Sequence, residues 1–104
     1  MAVSRLESLG YRIIDTNWRC HAGEIDIVAS KDSRLVFFEV KYRSSGAYGS
    51  GEEALTQAKV HRLQRLAGAY LQANPRLIYS TIAVEVISVT PAGKDFEFRI
   101  TPII

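Results

Sequence analysis

Three carboxylates and a lysine stand within the most hydrophobic part of the sequence. In GEIDIVASKDSRLVFFEVKYR, residues 23–43, they are Glu24, Asp26, Glu39 and Lys41. Carboxylates held side by side repel each other, and a bound proton, a neighbouring cation or a divalent metal ion relieves the repulsion. Proteins bind Mg²⁺ through one or two carboxylates together with water and substrate phosphates. The four residues therefore indicate a candidate site for Mg²⁺ or Mn²⁺ with a lysine beside it.

The spacing of these residues depends on how the two halves of the stretch pair. GEIDIVAS and RLVFFEVKYR are the two strongest strand patterns in the sequence, and the short connection between them predicts an antiparallel hairpin. A two-residue turn at 32–33 and a four-residue loop over 31–34 give the same register. Asp-Ser is not the Asn-Gly or Asp-Gly pair that best marks a tight turn, so we expect the four-residue loop. The facing charged pairs are then Asp26 with Glu39, and Glu24 with Lys41.

The opposite face of the predicted hairpin is apolar. The same register places Ile25, Ile27 and Ala29 opposite Val40, Phe38 and Val36. We expect this face to pack on the core, where each large side chain that is buried contributes about 1.5–3 kcal/mol. The charged end of the other face has two interpretations, a solvated strand surface or a binding site, and spacing alone leaves both open.

The remaining sequence predicts one domain over residues 1–104, of the α/β (α+β) class. A helix ends at Gly10, and the strand after it is irregular near Thr16-Asn17. The long helix between the third and fourth strands permits a parallel crossover and hence a mixed sheet of about five strands flanked by helices. The order is α-β-β-β-α-β-β. The predicted ranges are helix 4–11, strands 11–20, 23–30 and 34–43, flexible loop 44–51, helix 52–73 with Glu52 and Glu53 in its first turn, and strands 79–89 and 95–103.

Composition excludes several classes of protein. The 104 residues carry a net charge of +2, too little by itself to imply a nucleic-acid partner. No run approaches the roughly 18 apolar residues of a membrane span, and the stretch MAVSRLESLG has no apolar run of signal-peptide length, so we expect a cytoplasmic protein with no membrane partner. Cys20 is the single cysteine and is interpreted as structural. Basic residues dominate 40–76, which favours a polyanionic partner.

The strings GEIDIVA and FFEVKYR, with thirteen positions from Asp26 to Glu39, resemble the YraN-like proteins. These belong to the restriction-endonuclease-like, PD-(D/E)xK, nuclease superfamily, to which the archaeal Holliday-junction resolvases are similar. The flanking strings LESLGYRIIDTNWR and EALTQAKVHRLQRLAGAYL extend the resemblance over residues 5–72. It implies a mixed sheet flanked by helices, with the acidic pair on a central hairpin.

The resemblance also implies roles for individual residues. Asp26, Glu39 and the backbone carbonyl of Val40 would bind the metal ion, Mg²⁺ or Mn²⁺. Lys41 would orient or deprotonate the attacking water, and Glu24 is the acid of the GEID string. Gln57 and Lys59 match polar positions of the family at the start of the helix. We expect Arg43, Gln57, Lys59 and Arg62 to contact nucleic acid, whereas Arg65 is equally well explained as solvated helix surface.

The implied activity is metal-dependent hydrolysis of phosphodiester bonds in DNA, branched or single-stranded. The alternatives are a catalytically weak or inactive nucleic-acid-binding protein that retains the nuclease fold, and a structural module whose acids are merely solvated. A homodimer is left open. The resemblance leads us to expect two departures that bear on activity. The N-terminal helix is expected to be truncated relative to the family, without an upstream glutamate that Glu7 replaces poorly, and Ser80 stands where an aspartate is expected.

Overall fold

In the part of the chain that the structure describes, a five-stranded sheet is flanked by two helices. The computed structural model describes residues 1–43 and 56–103. Strand order in the sheet follows chain order, β1-β2-β3-β4-β5. The fold class and the element order predicted from the sequence are confirmed. The elements are α1 (Ala2–Ser8), β1 (Arg12–Cys20), β2 (Gly23–Lys31), β3 (Arg34–Tyr42), α2 (Gln57–Ala73), β4 (Thr81–Ala92) and β5 (Asp95–Pro102).

The sheet is mixed, as the crossover helix predicts. Strands β3 and β4 are parallel, and every other neighbouring pair is antiparallel. A parallel pair needs a long connection, which here contains α2, whereas tight turns suffice for the hairpins. The parallel ladder is unbroken from the Arg34–Thr81 pair to the Tyr42–Val89 pair. Strand β3 is therefore held along its whole length by β4.

Both faces of the sheet are covered, and this explains the continuous apolar runs of β2 and β3. Strands that are buried on both sides lose the alternation of a half-exposed strand. We call the two sides the α1 face and the α2 face. The α1 face comprises Ala2, Leu6, Ile27, Ala29, Val36, Phe38, Ala83, Ile87 and Val89. The α2 face comprises Ile25, Val28, Leu35, Phe37, Leu63, Leu66, Ala67, Tyr70 and Val84.

The prediction that Ile25 shares a face with Ile27 is wrong. Ile25 packs on the α2 face, whereas Ile27 packs on the α1 face. Regular alternation would place residues two apart on the same side. The change of side occurs at Asp26, beside Asn17 of β1, whose φ of +52° confirms the predicted irregularity of that strand. A left-handed residue interrupts the regular pleat, and the side chains of β2 change sides at this level, whereas the shift in the β1–β2 register lies earlier, between Ile13 and Asp15.

The start of α2 also differs from the prediction. Thr56 is extended and caps the helix, because its hydroxyl oxygen accepts a hydrogen bond from the Lys59 N–H at 3.1 Å. The helix therefore begins at Gln57 and not at residue 52, and the first turn of α2 contains no acidic residue. Glu52, Glu53 and the predicted loop 44–51 lie outside the described residues.

Neither described helix is a candidate membrane span. Helix α1 has 7 residues and α2 has 17. Crossing a bilayer takes about 20 predominantly apolar residues. The cytoplasmic location stays a prediction from the sequence.

The β2–β3 hairpin has the predicted register but not the predicted loop. Lys31 pairs directly with Arg34, so the turn contains only Asp32 and Ser33. Their φ angles are +52° and +66°. Two left-handed central residues define the type I′ turn, whose twist matches that of the flanking strands. The four-residue loop is therefore wrong, because the strand twist imposes the tight turn on residues that do not favour it.

We expect Ser33→Gly to stabilise the protein by about 1 kcal/mol, since glycine adopts positive φ without the steric cost that an L side chain carries. Urea unfolding measures the change. The matched control is Ser30→Gly within β2, which should destabilise by roughly 0.5–1 kcal/mol because glycine weakens a strand interior. A Ser33→Gly variant that unfolds at lower urea concentration than the wild type would contradict this reading of the turn.

Candidate metal and nucleic-acid site

Strands β2 and β3 separate at the level of the predicted acidic pair. Their ladder ends at the pair formed by Ile27 and Phe38. Beyond it, the Val40 N–H donates a hydrogen bond to Oδ2 of Asp26 at 2.7 Å. A carboxylate thus replaces the β2 backbone as partner of β3. The predicted ladder pairs, Asp26 with Glu39 and Glu24 with Lys41, are consequently not formed.

Asp26 occupies an electrostatically unfavourable position. Burial raises the pKa of its carboxyl above the ordinary value, and the negative charges of Glu24 and Glu39 raise it further. The hydrogen bond from Val40 and the charge of Lys41 act in the opposite direction without cancelling the increase. The three predicted acids therefore influence one another even though they are not ladder partners.

Glu39 is surrounded by three cationic side chains. Nζ of Lys41 lies 3.3 Å from Oε2, Nζ of Lys59 lies 3.8 Å from Oε2, and a terminal nitrogen of Arg62 lies 3.8 Å from Oε1. The Glu39 side chain is only 16% exposed. Strand β3 places Lys41 two residues from Glu39 on the α2 face, and helix α2 brings the other two cations over it. The structure thus assembles four of the predicted site residues.

A small cavity lies where the acids border the apolar residues of the α2 face. Its volume is about 20 Å³, which is enough for one water-sized particle. Carboxylates and large apolar groups line it together: Glu24, Ile25, Asp26, Phe37, Phe38, Glu39, Leu63, Leu66 and Val84. Although the three acids border the same cavity, they do not converge on one point in it. Within residues 1–43 and 56–103, no three acidic, histidine or cysteine side chains come close enough to bind an ion by themselves.

The residues present nevertheless fit a Mg²⁺ or Mn²⁺ ion. Among the described side chains, Oε2 of Glu39 is the buried polar atom without a hydrogen-bond partner. The N–H and C=O of one residue point to the same edge of a strand, so the Val40 carbonyl points toward β2 and the Asp26 carboxylate. Two carboxylates and one carbonyl leave coordination positions for water and phosphate, as Mg²⁺ requires.

A wider cleft lies on the other side of Asp26. It has a volume of about 330 Å³, at the lower end of the range for small-molecule sites. The lining combines the N-terminal part of α1 with the separated strands: Met1, Ala2, Val3, Thr16, Asn17, Asp26, Ile27, Val40 and Tyr42. Asp26 therefore lies between the strands and borders both the small cavity and this cleft.

Other predicted residues lie at the margin of the site. Glu24 forms an ion pair with Arg19 of β1 at 3.6 Å rather than with Lys41. Gln57 and Arg65 are exposed on α2. The Arg43 N–H donates to the Val89 carbonyl at 2.8 Å, which extends the β3–β4 ladder. Neither Arg43 nor Arg65 is among the three cations around Glu39.

Two partners in the site were missed from the sequence. Arg19 lies directly opposite Glu24 in the β1–β2 ladder, and an antiparallel alignment of these two strands in the sequence would have indicated the contact. The Val40 N–H gives no sequence signal, because every residue except proline carries one. Its role depends on where β2 leaves β3.

Comparison with other proteins supplies the family. Residues 1–89 match the pattern of the Uncharacterised protein family UPF0102. The chain belongs to the UPF0102 family. Similar members are the UPF0102 protein of Mycolicibacterium vanbaalenii, 39% identical over 86% of this chain and 73% of the relative, and that of Kineococcus radiotolerans, 43% identical over 86% and 74%. That of Mycobacterium avium is 44% identical over 86% and 70%. Every candidate site residue of this UPF0102 chain lies within the matched range.

We expect Asp26→Asn to be more stable than the wild type at pH 7 in the presence of a chelator. The Asp26 carboxyl has a higher pKa in the folded protein, so the folded state binds its proton more readily. Stability is then lost as pH rises from the ordinary value of 3.8 through the raised folded value. Asparagine keeps an oxygen for the Val40 N–H without the negative charge.

Thermal unfolding between pH 4 and pH 8 tests this expectation. The advantage of Asp26→Asn over the wild type should shrink toward the acidic end of the range. The exposed Asp95 supplies the control Asp95→Asn. A wild type that is more stable than Asp26→Asn at pH 7 would show that the charge of Asp26 is fully compensated.

Proposed function

We propose that this UPF0102 protein is a metal-dependent nuclease of the restriction-endonuclease-like, PD-(D/E)xK type that hydrolyses phosphodiester bonds in DNA, branched or single-stranded. One observation supports the proposal above the others. Asp26 and Glu39 border one cavity of water size, at the place where β2 leaves β3, and the Lys41 ammonium lies 3.3 Å from Glu39. Two acids, a backbone carbonyl and a lysine are the residues that such hydrolysis requires.

The proposed roles follow from the positions of these groups. Asp26, Glu39 and the Val40 carbonyl would hold Mg²⁺ or Mn²⁺. When bound, the ion polarises the phosphoryl oxygen and lowers the pKa of coordinated water. Lys41, on the same face as Glu39, orients the attacking water or stabilises its developing negative charge. Glu24 raises the local negative potential and in this way favours a divalent cation.

Binding of DNA would use the cations next to the acids. Lys59 and Arg62 lie beside Glu39, within reach of a phosphate held at the same place. Arg43 and Gln57, at the end of β3 and the start of α2, would extend the contact along the backbone. Contacts of this kind position a nucleic acid and give salt-dependent affinity without reading its sequence. We therefore propose recognition by shape or strandedness rather than by base.

A second function is favoured by the charges around Glu39. Its carboxylate already has three cationic neighbours, and the described part of the chain lacks a third acid that converges on the ion position. A protein that keeps the fold and binds nucleic acid without cleaving it would have the same cations. Such a protein would bind DNA without Mn²⁺, and loss of Asp26 would leave that binding intact.

Calorimetric titration with Mn²⁺, together with a cleavage assay on branched and single-stranded DNA, tests the proposal. We expect one Mn²⁺ site in the wild type and its loss in Glu39→Gln. Cleavage should fall by at least about 100-fold in Asp26→Asn, Glu39→Gln and Lys41→Met, because each removes a metal ligand or the group that acts on water.

The control variant is Glu97→Gln, whose glutamate is exposed on β5. It should bind Mn²⁺ and cleave DNA as the wild type does. Salt-sensitive DNA binding without cleavage under Mg²⁺ or Mn²⁺ would support the second function. Absence of site-specific Mn²⁺ heat in the wild type would refute the nuclease proposal.

A further inference from the structure

The ion pairs around Glu39 are long. Lys59 and Arg62 both approach its carboxylate at 3.8 Å, beyond the usual length of a charge-assisted hydrogen bond. Oε2 itself is buried without a hydrogen-bond partner among the described residues. The two α2 cations therefore compensate the charge of Glu39, while Oε2 is left without a hydrogen bond among the described residues.

We propose that Lys59 and Arg62 are exchangeable counter-ions, which neutralise Glu39 in the metal-free protein and transfer to a substrate phosphate when a divalent cation binds to Glu39. The inference rests on the proposed function and adds to it a mechanism that couples the two binding events. It assigns the α2 cations a positioning role in phosphate binding that depends on the metal ion.

Placement on α2 makes the exchange feasible. Lys59 and Arg62 are three residues apart and share one side of the helix near its N-terminal end. The side chains of Arg62 and Lys59 are 48% and 25% exposed, so both are more accessible to solvent than that of Glu39, which is 16% exposed. Rotation of their long side chains would move the charges while the helix backbone stays packed.

Lys41 differs from these two cations. It lies two residues from Glu39 on the same regular strand and approaches Oε2 more closely, at 3.3 Å. The β3–β4 ladder continues past it, so its backbone cannot shift away from Glu39. Lys41 therefore stays with the acids, in keeping with its proposed action on water, and the α2 cations are the ones that leave.

The exchange makes metal and phosphate binding reinforce each other. Without nucleic acid, a divalent ion must displace two cations from Glu39, which weakens its binding. A phosphate that accepts those cations removes the competition. By linkage, the factor by which an oligonucleotide tightens Mn²⁺ binding equals the factor by which Mn²⁺ tightens oligonucleotide binding. We call this the coupling factor.

Calorimetric titration with Mn²⁺ measures the coupling factor, with and without a short single-stranded oligonucleotide whose phosphorothioate linkages resist hydrolysis. In the wild type we expect at least about a fivefold effect. Without oligonucleotide, Mn²⁺ should bind the Lys59→Met and Arg62→Gln variants more tightly than it binds the wild type. The coupling factor should also be smaller, by about twofold or more, because one exchanging cation is gone.

Two controls separate exchange from general electrostatics. Arg65→Gln removes a positive charge one turn further along α2, from an exposed side chain that is not among the cations around Glu39. Lys59→Arg keeps the charge at the site. Both should retain the wild-type coupling factor at the same salt concentration, and thermal unfolding of every variant checks that the fold is kept.

The outcomes distinguish this inference from the proposed function. A wild type that gives no Mn²⁺ heat refutes the nuclease proposal and the exchange with it. Mn²⁺ binding with a coupling factor of one, or with the same factor in Lys59→Met, Arg62→Gln and Arg65→Gln, overturns the exchange alone. A smaller factor in the two site variants and an unchanged one in both controls supports it, whether or not the protein cleaves DNA.

Discussion

The hydrogen bond from the Val40 N–H to the Asp26 carboxylate is the contact on which the candidate site depends. At 2.7 Å it gives a backbone donor of β3 the partner that β2 would otherwise supply. A buried N–H without a partner is costly, so a strand leaves its neighbour only where another acceptor takes over. The Asp26 side chain lets the two strands separate, and Asp26 and Glu39 both border a small cavity at this level.

Strand β3 can lose one neighbour because it keeps the other. Its parallel ladder with β4 runs through Tyr42 without interruption. Glu39 and Lys41 therefore keep the alternation of a regular strand and lie on the α2 face, while β2 turns its side chains over beside them. The site combines one regular strand with one irregular strand. The irregular strand carries Asp26, and the raised pKa of its carboxyl shows that its negative charge is poorly compensated.

Helix α2 reaches the acids because its apolar side is anchored on the same face. Leu63, Leu66 and Tyr70 are buried against the sheet. The Tyr70 hydroxyl also donates to Oδ2 of Asp15 at 3.2 Å, and burial together with that carboxylate raises the pKa of Tyr70 to about 12, so it remains a donor at neutral pH. With the helix fixed in this way, Lys59 and Arg62 in its first turns lie above Glu39.

Local patterns in the sequence determined much of this architecture. Alternation along the strands, the helical spacing from Leu63 onward and the turn residues specify the order of elements and the parallel crossover. The hairpin register follows from them as well, since a two-residue and a four-residue connection give the same pairing. These features depend on residues close together in the chain, so a single sequence is enough to read them.

Tertiary structure alone decided how the acids are arranged. Ile25 changes sides at the level of the left-handed Asn17 in the neighbouring strand, and the partner of Asp26 is a backbone group 14 residues away. The cations over Glu39 arrive only when α2 docks on the sheet. Strand divergence and helix docking are non-local events that residue spacing does not encode. The sequence therefore predicted the candidate residues, and the folded chain decided which of them are in contact.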